Sequence, residues 1–171
     1  MQRLGTRGWA LCLAVFAASV TPAAFVGFGS SGTTYVASGL SRTIPRQTPA
    51  AAGIKQRLVG NWTLAKYEVF GENGEVRPGN YDVGRIMYGD GGEMTAHLMR
   101  TTAHAYLGYF GPYTIDAEKG TVVHHVVGSS LQSWIGSEQV RYYGFTTDGR
   151  LTLSLKSGDR ITQTLTWERV R

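Results

Sequence analysis

The chain has 171 residues, of which 42% are hydrophobic, and a formal net charge of +5. Its length favours one folded domain with a core. Positions 1–57 carry six basic residues and no acidic one, whereas positions 58–171 carry 11 Lys/Arg against 12 Asp/Glu. Because the positive charge lies outside the region expected to fold, composition excludes a nucleic-acid-binding surface there. Cys12 is the only cysteine, which excludes a disulfide framework.

Residues 1–24 are predicted to be a secretory signal peptide. Arg3 and Arg7 precede an apolar run that begins at Trp9, and small residues follow it, which is the order typical of a cleaved leader. The alternative is an uncleaved anchor, because the mostly apolar stretch from Trp9 to Phe28 approaches the length that crosses a bilayer. We therefore expect a secreted or periplasmic protein or, without cleavage, one attached to the membrane through this segment alone.

Residues 25–57 are predicted to be a flexible linker. They are rich in Gly, Ser, Ala and Pro and show no steady hydrophobic period, a composition typical of a disordered tether. The pattern changes at Leu58, where the predicted folded domain, residues 58–171, begins.

Residues 58–171 alternate between apolar and polar side chains in eight stretches, which is the period of a half-buried strand. Glycine-rich turns with Asn or Asp separate several of them, as in antiparallel neighbours. The pattern predicts an all-β fold, either an eight-stranded antiparallel barrel or a two-sheet sandwich with the same periodicity. The predicted strands are 58–70, 84–88, 93–100, 109–116, 121–127, 138–145, 150–155 and 161–170.

Several motifs in this region carry a family resemblance. They include Gly60-Asn61-Trp62, the segment from Met94 to Arg100, Tyr109-Phe110-Gly111, Glu138 to Tyr142, and Leu165 to Val170. Together they resemble the bacterial and fungal lipocalin-like domain family, a calycin-type β-barrel. The resemblance implies an up-and-down eight-stranded barrel in which Trp62 plugs one end and Arg169 stacks beneath it.

Glu68 is the first candidate polar group for the barrel interior. If Trp62 points inward and alternation continues, then Lys66 and Glu68 are internal or at the barrel mouth. Buried charges need partners, which would be Arg141 or each other. A β-bulge or an exposed upper strand is the alternative, and it would place both charges outside.

His124 and His125 are adjacent on a predicted strand, so only one of them can face the interior unless a bulge intervenes. Val122 and Val126 share the face of His124, whereas Thr121 shares the face of His125. We therefore predict that His124 points inward, where it would act as an acid or base or bind a ligand. The alternative is a core histidine whose hydrogen bonds are satisfied within the protein.

Arg141 is the third candidate, because its planar guanidinium suits a carboxylate or enolate ligand. Its alternative role is to pair with Glu68 or Glu138 and hold strands in register. Further ligand contacts are predicted for Tyr142, Tyr113 and His97. The four histidines lack zinc-ligand spacing, so neither a metal nor another cofactor is predicted.

The sequence leaves three functions open. The first is a secreted or periplasmic barrel that binds a small hydrophobic or amphipathic molecule in its cup. The second is a cyclase or isomerase acting on a small hydrophobic metabolite inside the barrel, with His124, Glu68 and Arg141 as candidate catalytic residues. The third is a structural or adhesive module on a tether. No nucleic-acid partner is predicted.

Overall fold

The computed structural model describes residues 48–171, which form a closed antiparallel β-barrel. The predicted signal peptide and most of the predicted linker lie outside the described residues. The elements in chain order are α1 (Pro49–Leu58), β1 (Gly60–Phe70), β2 (Val76–Pro78), β3 (Val83–Tyr88), β4 (Glu93–Arg100), β5 (Ala105–Asp116), β6 (Thr121–His125), β7 (Gly128–Ser129), a 3₁₀ turn (Gln132–Trp134), β8 (Glu138–Phe145), β9 (Leu151–Ser157) and β10 (Arg160–Arg169).

Eight of the strands form the barrel wall. Neighbours follow the order β1, β3, β4, β5, β6, β8, β9 and β10, and β10 pairs with β1 to close the sheet. The short strands β2 and β7 add to β1 and β5 respectively. Closure pairs every wall strand on both sides and so removes exposed sheet edges. The predicted eight-stranded barrel is confirmed, and the two-sheet sandwich is not what the chain forms.

Helix α1 replaces the end of the predicted linker, so the expectation of a linker up to position 57 needs correction at residues 49–57. The Thr48 side chain accepts a hydrogen bond from the Ala51 amide at 3.2 Å, and a proline occupies the first turn. Both features favour a helix start. Ala51 and Leu58 are buried, and this tertiary packing stabilises a short helix that local composition does not reveal.

The helix covers one end of the barrel, which we call the closed end. Lys55 forms an ion pair with Asp90 in the β3–β4 turn at 3.3 Å. The Arg57 guanidinium lies 3.8 Å from the ring centre of Phe145, the last residue of β8. No helix within residues 48–171 has both the length and the apolar character that a bilayer span requires.

Trp62 and Arg169 close the barrel beneath this helix. The Trp62 indole Nε1 donates to the Leu58 carbonyl at 2.8 Å, and the Arg169 guanidinium lies 4.2 Å from the Trp62 ring centre. Arg169 also donates to the carbonyls of Val59 at 2.7 Å and Arg57 at 2.5 Å. The predicted plug and stacking are both present.

A β-bulge in β1 decides which side chains of this strand enter the barrel. The pairing register with β10 shifts between Leu64 and Lys66. Before the bulge Trp62 points inward; after it Tyr67 does. Lys66 and Glu68 consequently lie on the outer face, where they form an ion pair at 2.7 Å. The expectation of an internal Glu68 is wrong because one extra residue reverses the alternation.

Candidate functional site

The barrel encloses a cavity of about 220 Å³ towards the end opposite α1, which we call the open end. Most of its wall is aliphatic or aromatic, and loop residues contribute to its mouth. The lining residues are Tyr67, Tyr81, Ile86, Ala96, Leu98, Leu107, Tyr109, Leu131, Trp134, Arg141, Leu153, Leu155, Gln163, Leu165 and Trp167. An internal apolar space with few polar groups is typical of a small-molecule site.

Arg141 is the only charged residue in this lining. It sits on β8 beside Val122 of β6 and is 8% exposed. Its guanidinium donates to the Val140 carbonyl at 2.9 Å and to the Gln139 side-chain oxygen at 3.4 Å. Among residues 48–171 no carboxylate lies within 4.0 Å of it. The predicted pairing with Glu68 or Glu138 is therefore absent, and the charge is left facing the cavity.

A buried hydrogen-bonded chain runs behind the cavity wall. His124 Nε2 lies 2.7 Å from the Tyr88 hydroxyl, and His124 Nδ1 lies 3.0 Å from the Tyr109 hydroxyl. The three residues come from β6, β3 and β5, and all three are buried. Tyr109 lines the cavity, whereas the other two do not. The chain therefore reaches the cavity through one hydroxyl.

Burial keeps the three residues of this hydrogen-bonded chain, His124, Tyr88 and Tyr109, uncharged. It lowers the pKa of His124 well below 6.5, and the nearby charge of Arg141 lowers that pKa further. Burial also raises the pKa of Tyr109 and raises the pKa of Tyr88 well above 10.0; in both the charge of Arg141 opposes the rise. At neutral pH the imidazole and both phenols are consequently neutral.

Aromatic side chains surround the mouth of the cavity. Tyr67 and Tyr81 stack with ring centres 6.3 Å apart, and Trp134 meets Tyr109 edge-on at 5.4 Å. The Tyr67 hydroxyl donates to the side-chain oxygen of Gln163 at 2.6 Å. Such amphipathic rings suit a boundary between an apolar interior and water.

Trp167 contributes a buried donor without a partner. The residue is 1% exposed and lines the cavity. Its indole Nε1 has no hydrogen-bond acceptor among residues 48–171. An unpaired buried N–H costs free energy, so this donor is a candidate for contact with a bound molecule.

Two further predicted site residues face inward. His124 is fully buried and His125 is half-buried, which is the orientation that strand alternation predicts. His124 acts on the cavity only through Tyr109, so direct ligand contact by its imidazole stays a prediction. Tyr113 also points inward, but it lies near the closed end, where its hydroxyl donates to the Gly89 carbonyl at 3.0 Å.

Two predicted ligand contacts lie on the outer face, as Glu68 does. Tyr142 of β8 has the Lys156 ammonium 4.1 Å from its ring centre. His97 of β4 is exposed and its Nδ1 lies 2.7 Å from the Tyr106 hydroxyl. Both expectations need correction, because each residue alternates with an inward neighbour on its strand. His125 is also outside, with Nδ1 3.1 Å from a Glu138 carboxylate oxygen.

Sequence reasoning missed the cavity contacts Tyr67, Tyr109, Gln163 and Trp167. Alternation back from Trp167 through Leu165 to Gln163 was a usable signal for that strand. Tyr109 likewise shares a face with Tyr113, four residues later. Tyr67 carried no such signal, since only the bulge turns it inward.

No three His, Cys, Asp or Glu side chains within positions 48–171 are grouped so that they could hold a metal ion. The cavity lining, with one guanidinium, phenols, an amide and two indoles, is poor in metal ligands.

Residues 101–170 match the family model of the lipocalin-like domain. The match confirms, over these residues, the resemblance drawn from the sequence. In the structure the matched part of the lipocalin-like barrel holds β5 to β10, with Tyr109, His124, Arg141 and Trp167 among its residues. No curated protein matches the chain.

Proposed function

We propose that the lipocalin-like barrel binds a small hydrophobic or amphipathic molecule in its cavity. The observation that carries this proposal is the space of about 220 Å³ inside the barrel, with its largely apolar wall. An engineered cavity of about 150 Å³ in another protein holds benzene, so the present space suits a molecule of roughly ten non-hydrogen atoms.

The cost of the cavity supports a binding role. Protein interiors are close-packed, and unfilled space lowers stability in proportion to its volume. A barrel that served only as a structural or adhesive module would gain from larger side chains here. Ala96 instead leaves room at the centre of β4, where its neighbours across the sheet are Ile86 and Tyr109.

The positions of the candidate catalytic residues favour binding over the cyclase or isomerase alternative. General acid–base catalysis needs a titratable group that reaches the substrate. Of Glu68, His124 and Arg141, Arg141 alone lines the cavity, and a guanidinium remains protonated in proteins. Tyr109 touches the cavity, but burial raises its pKa away from neutrality.

The proposal places the barrel outside the cytoplasm. Its support is the order of basic, apolar and small residues at positions 1–24, which is typical of a leader. Fractionation of cells that express the full chain with a C-terminal tag tests this location. We expect the barrel in the periplasm, in the medium or, without cleavage, in the membrane fraction. Recovery in the cytoplasm alone would contradict the location.

Filling the cavity tests the binding function. We expect octan-1-ol to change the tryptophan emission of the purified full chain in a saturable way, because Trp134 and Trp167 line the cavity. Ala96→Leu adds side-chain volume to the wall and should weaken this binding at least tenfold without unfolding the barrel. Met99→Leu, on the outer face of the same strand with 44% exposure, is the matched control. Binding that is absent, or equal in both variants, would rule out the cavity as the site.

A further inference from the structure

The polar groups around the cavity differ in how many hydrogen bonds they can donate or accept. A guanidinium and an indole N–H only donate, whereas a phenol or a carboxamide does both. The cavity lining holds one guanidinium, two indole N–H groups, one carboxamide and three phenols. These belong to Arg141, Trp134, Trp167, Gln163, Tyr67, Tyr81 and Tyr109.

Arg141 brings more donors than the protein occupies. Nη1 and Nη2 each make one hydrogen bond, to Val140 and Gln139, and a side-chain hydrogen bond from Arg141 lowers the pKa of Tyr109. A guanidinium has five N–H donors, so some of them remain unused. All of these acceptors are neutral, so the positive charge is not balanced. A buried charge in this position is costly unless an anion meets it.

Gln163 also presents donors. Its side-chain oxygen accepts the Tyr67 hydroxyl at 2.6 Å. The NH₂ group of the same carboxamide has no acceptor among the described residues. The proton of Tyr67 is thus used within the protein, and the pair still offers the NH₂ donors of Gln163 and the Tyr67 oxygen as an acceptor.

The tautomer of His124 determines what Tyr109 presents to the cavity. A neutral imidazole donates through one nitrogen and accepts through the other. One of the two phenols must accept from His124, and the O–H of that phenol then has no acceptor among residues 48–171. This costs less free energy at Tyr109, which lines the cavity, than at Tyr88, which does not. Tyr88 is therefore assigned as the donor to Nε2, and Nδ1–H donates to the Tyr109 oxygen. The Tyr109 hydroxyl proton is then free to point at the cavity.

Trp167 supplies a buried unpaired donor. Its Nε1 lacks an acceptor in the described part of the chain. Side chains of β5, β8 and β10 that carry donors thus line one cavity. Because Arg141 and Trp167 can only donate, a complementary molecule brings oxygen acceptors to them, and beside an unbalanced guanidinium it gains from a negative charge.

We propose that the molecule held in this cavity is a small monocarboxylate, whose oxygens are bound by Arg141 with help from Tyr109 and Trp167. This inference rests on the proposed binding function and adds the chemical class of the ligand. The planar fork of the guanidinium matches a carboxylate, and the aliphatic and aromatic wall takes the rest of the molecule. His124 acts as a positioning residue that orients the Tyr109 hydroxyl.

Three probes of equal chain length test the head group on the purified full chain. Octanoate, with roughly ten non-hydrogen atoms, fits the size expected for the cavity. Octan-1-ol and octylammonium share its tail but carry a neutral and a positive head. By calorimetry or tryptophan fluorescence at neutral pH, we expect octanoate to bind at least tenfold more tightly than octan-1-ol, and octylammonium to bind weakest.

Substitutions of the lining residues then show which side chains cause the preference for octanoate over octan-1-ol. Arg141→Met should remove the advantage of octanoate and leave octan-1-ol binding within a few-fold. Arg141→Lys keeps the charge without the fork and should retain part of the advantage. Tyr109→Phe and Trp167→Phe should each reduce it by a few-fold. Arg85→Met, an exposed arginine on β3, is the matched control and should change nothing.

The outcomes separate this inference from the function on which it rests. If octan-1-ol binds but octanoate has no advantage, or if Arg141→Met behaves like Arg85→Met, the carboxylate site is overturned and the cavity function stands. If none of the three probes binds, the proposed function itself is overturned.

Discussion

The polar groups in the two halves of the barrel interior differ in whether all their donors have hydrogen-bond acceptors within the protein. Towards the closed end, Trp62, Arg169 and Tyr113 each donate to a backbone carbonyl of the same chain. Around the cavity, Arg141 and Trp167 keep donors that no described residue accepts. Both halves contain an arginine and at least one tryptophan, so residue type does not distinguish them.

At the closed end, backbone carbonyls of the protein accept the hydrogen bonds of these donors. Around the cavity, some donors have no acceptor among the described residues. A buried polar group that is hydrogen-bonded contributes to the stability of the fold. A buried polar group without a partner lowers that stability until a partner binds to it. The closed half should therefore be sensitive to substitution in the absence of any ligand. The cavity half should tolerate substitution in the free protein and lose binding instead.

The largest effect is expected at Trp62. Trp62→Ala removes a side chain that is 1% exposed, together with its hydrogen bond to helix α1 and its stacking under Arg169. We expect unfolding free energy to fall by about 3–5 kcal/mol, measured by chemical denaturation. Trp134→Ala, at the cavity mouth, is the comparison and should cost clearly less. Equal losses would remove the distinction between the halves.

Replacing Arg169 and Arg141 by the same residue compares the stability of the two halves through one residue type. Arg169→Met loses two hydrogen bonds to backbone carbonyls and the contact with the Trp62 ring, and should cost about 2 kcal/mol. Arg141→Met removes a buried charge without a carboxylate partner and should change stability by less than about 1 kcal/mol, or raise it. Denaturation of both variants without ligand checks this. A larger loss for Arg141→Met would show that Arg141 is structural.

The buried histidine predicts how stability depends on pH. The pKa of His124 is lowered well below 6.5 in the folded protein, so the unfolded chain binds more protons just below pH 6.5. Stability should therefore fall on acidification through this window, by at most about 1.4 kcal/mol per pH unit. His124→Gln should reduce this acid-side slope. An unchanged slope in the variant would mean that another group dominates it.

The smallest loss of stability is expected at the ion pair between Lys66 and Glu68 on the outer face of β1. The side chains of Lys66 and Glu68 are 64% and 22% exposed, and exposed pairs contribute about 0.5 kcal/mol or less. Glu68→Ala should leave both stability and octan-1-ol binding nearly unchanged. A strong loss of binding would return Glu68 to the interior and contradict the bulge.

The candidate site was predictable in part. The alternation of β6 and β8 places His124 and Arg141 inside, because an uninterrupted strand has a fixed period of two. The same rule failed for Glu68 at the bulge. Applied strictly, the rule also places Tyr142 and His97 outside, since Tyr142 adjoins Arg141 and His97 lies between the buried Ala96 and Leu98.

The amino-acid sequence by itself determined the eight wall strands and several of their turns. Those features depend on neighbours along the chain and on a period that local residues set. The plug of Trp62 and Arg169 was implied by the family resemblance and not by this period. The tertiary structure decided which polar groups meet inside the barrel, that Arg141 lacks a carboxylate, and that residues 49–58 form a helix over one end. These depend on strand register and on contacts between residues far apart in the chain, and one inserted residue in β1 is enough to exchange the two faces.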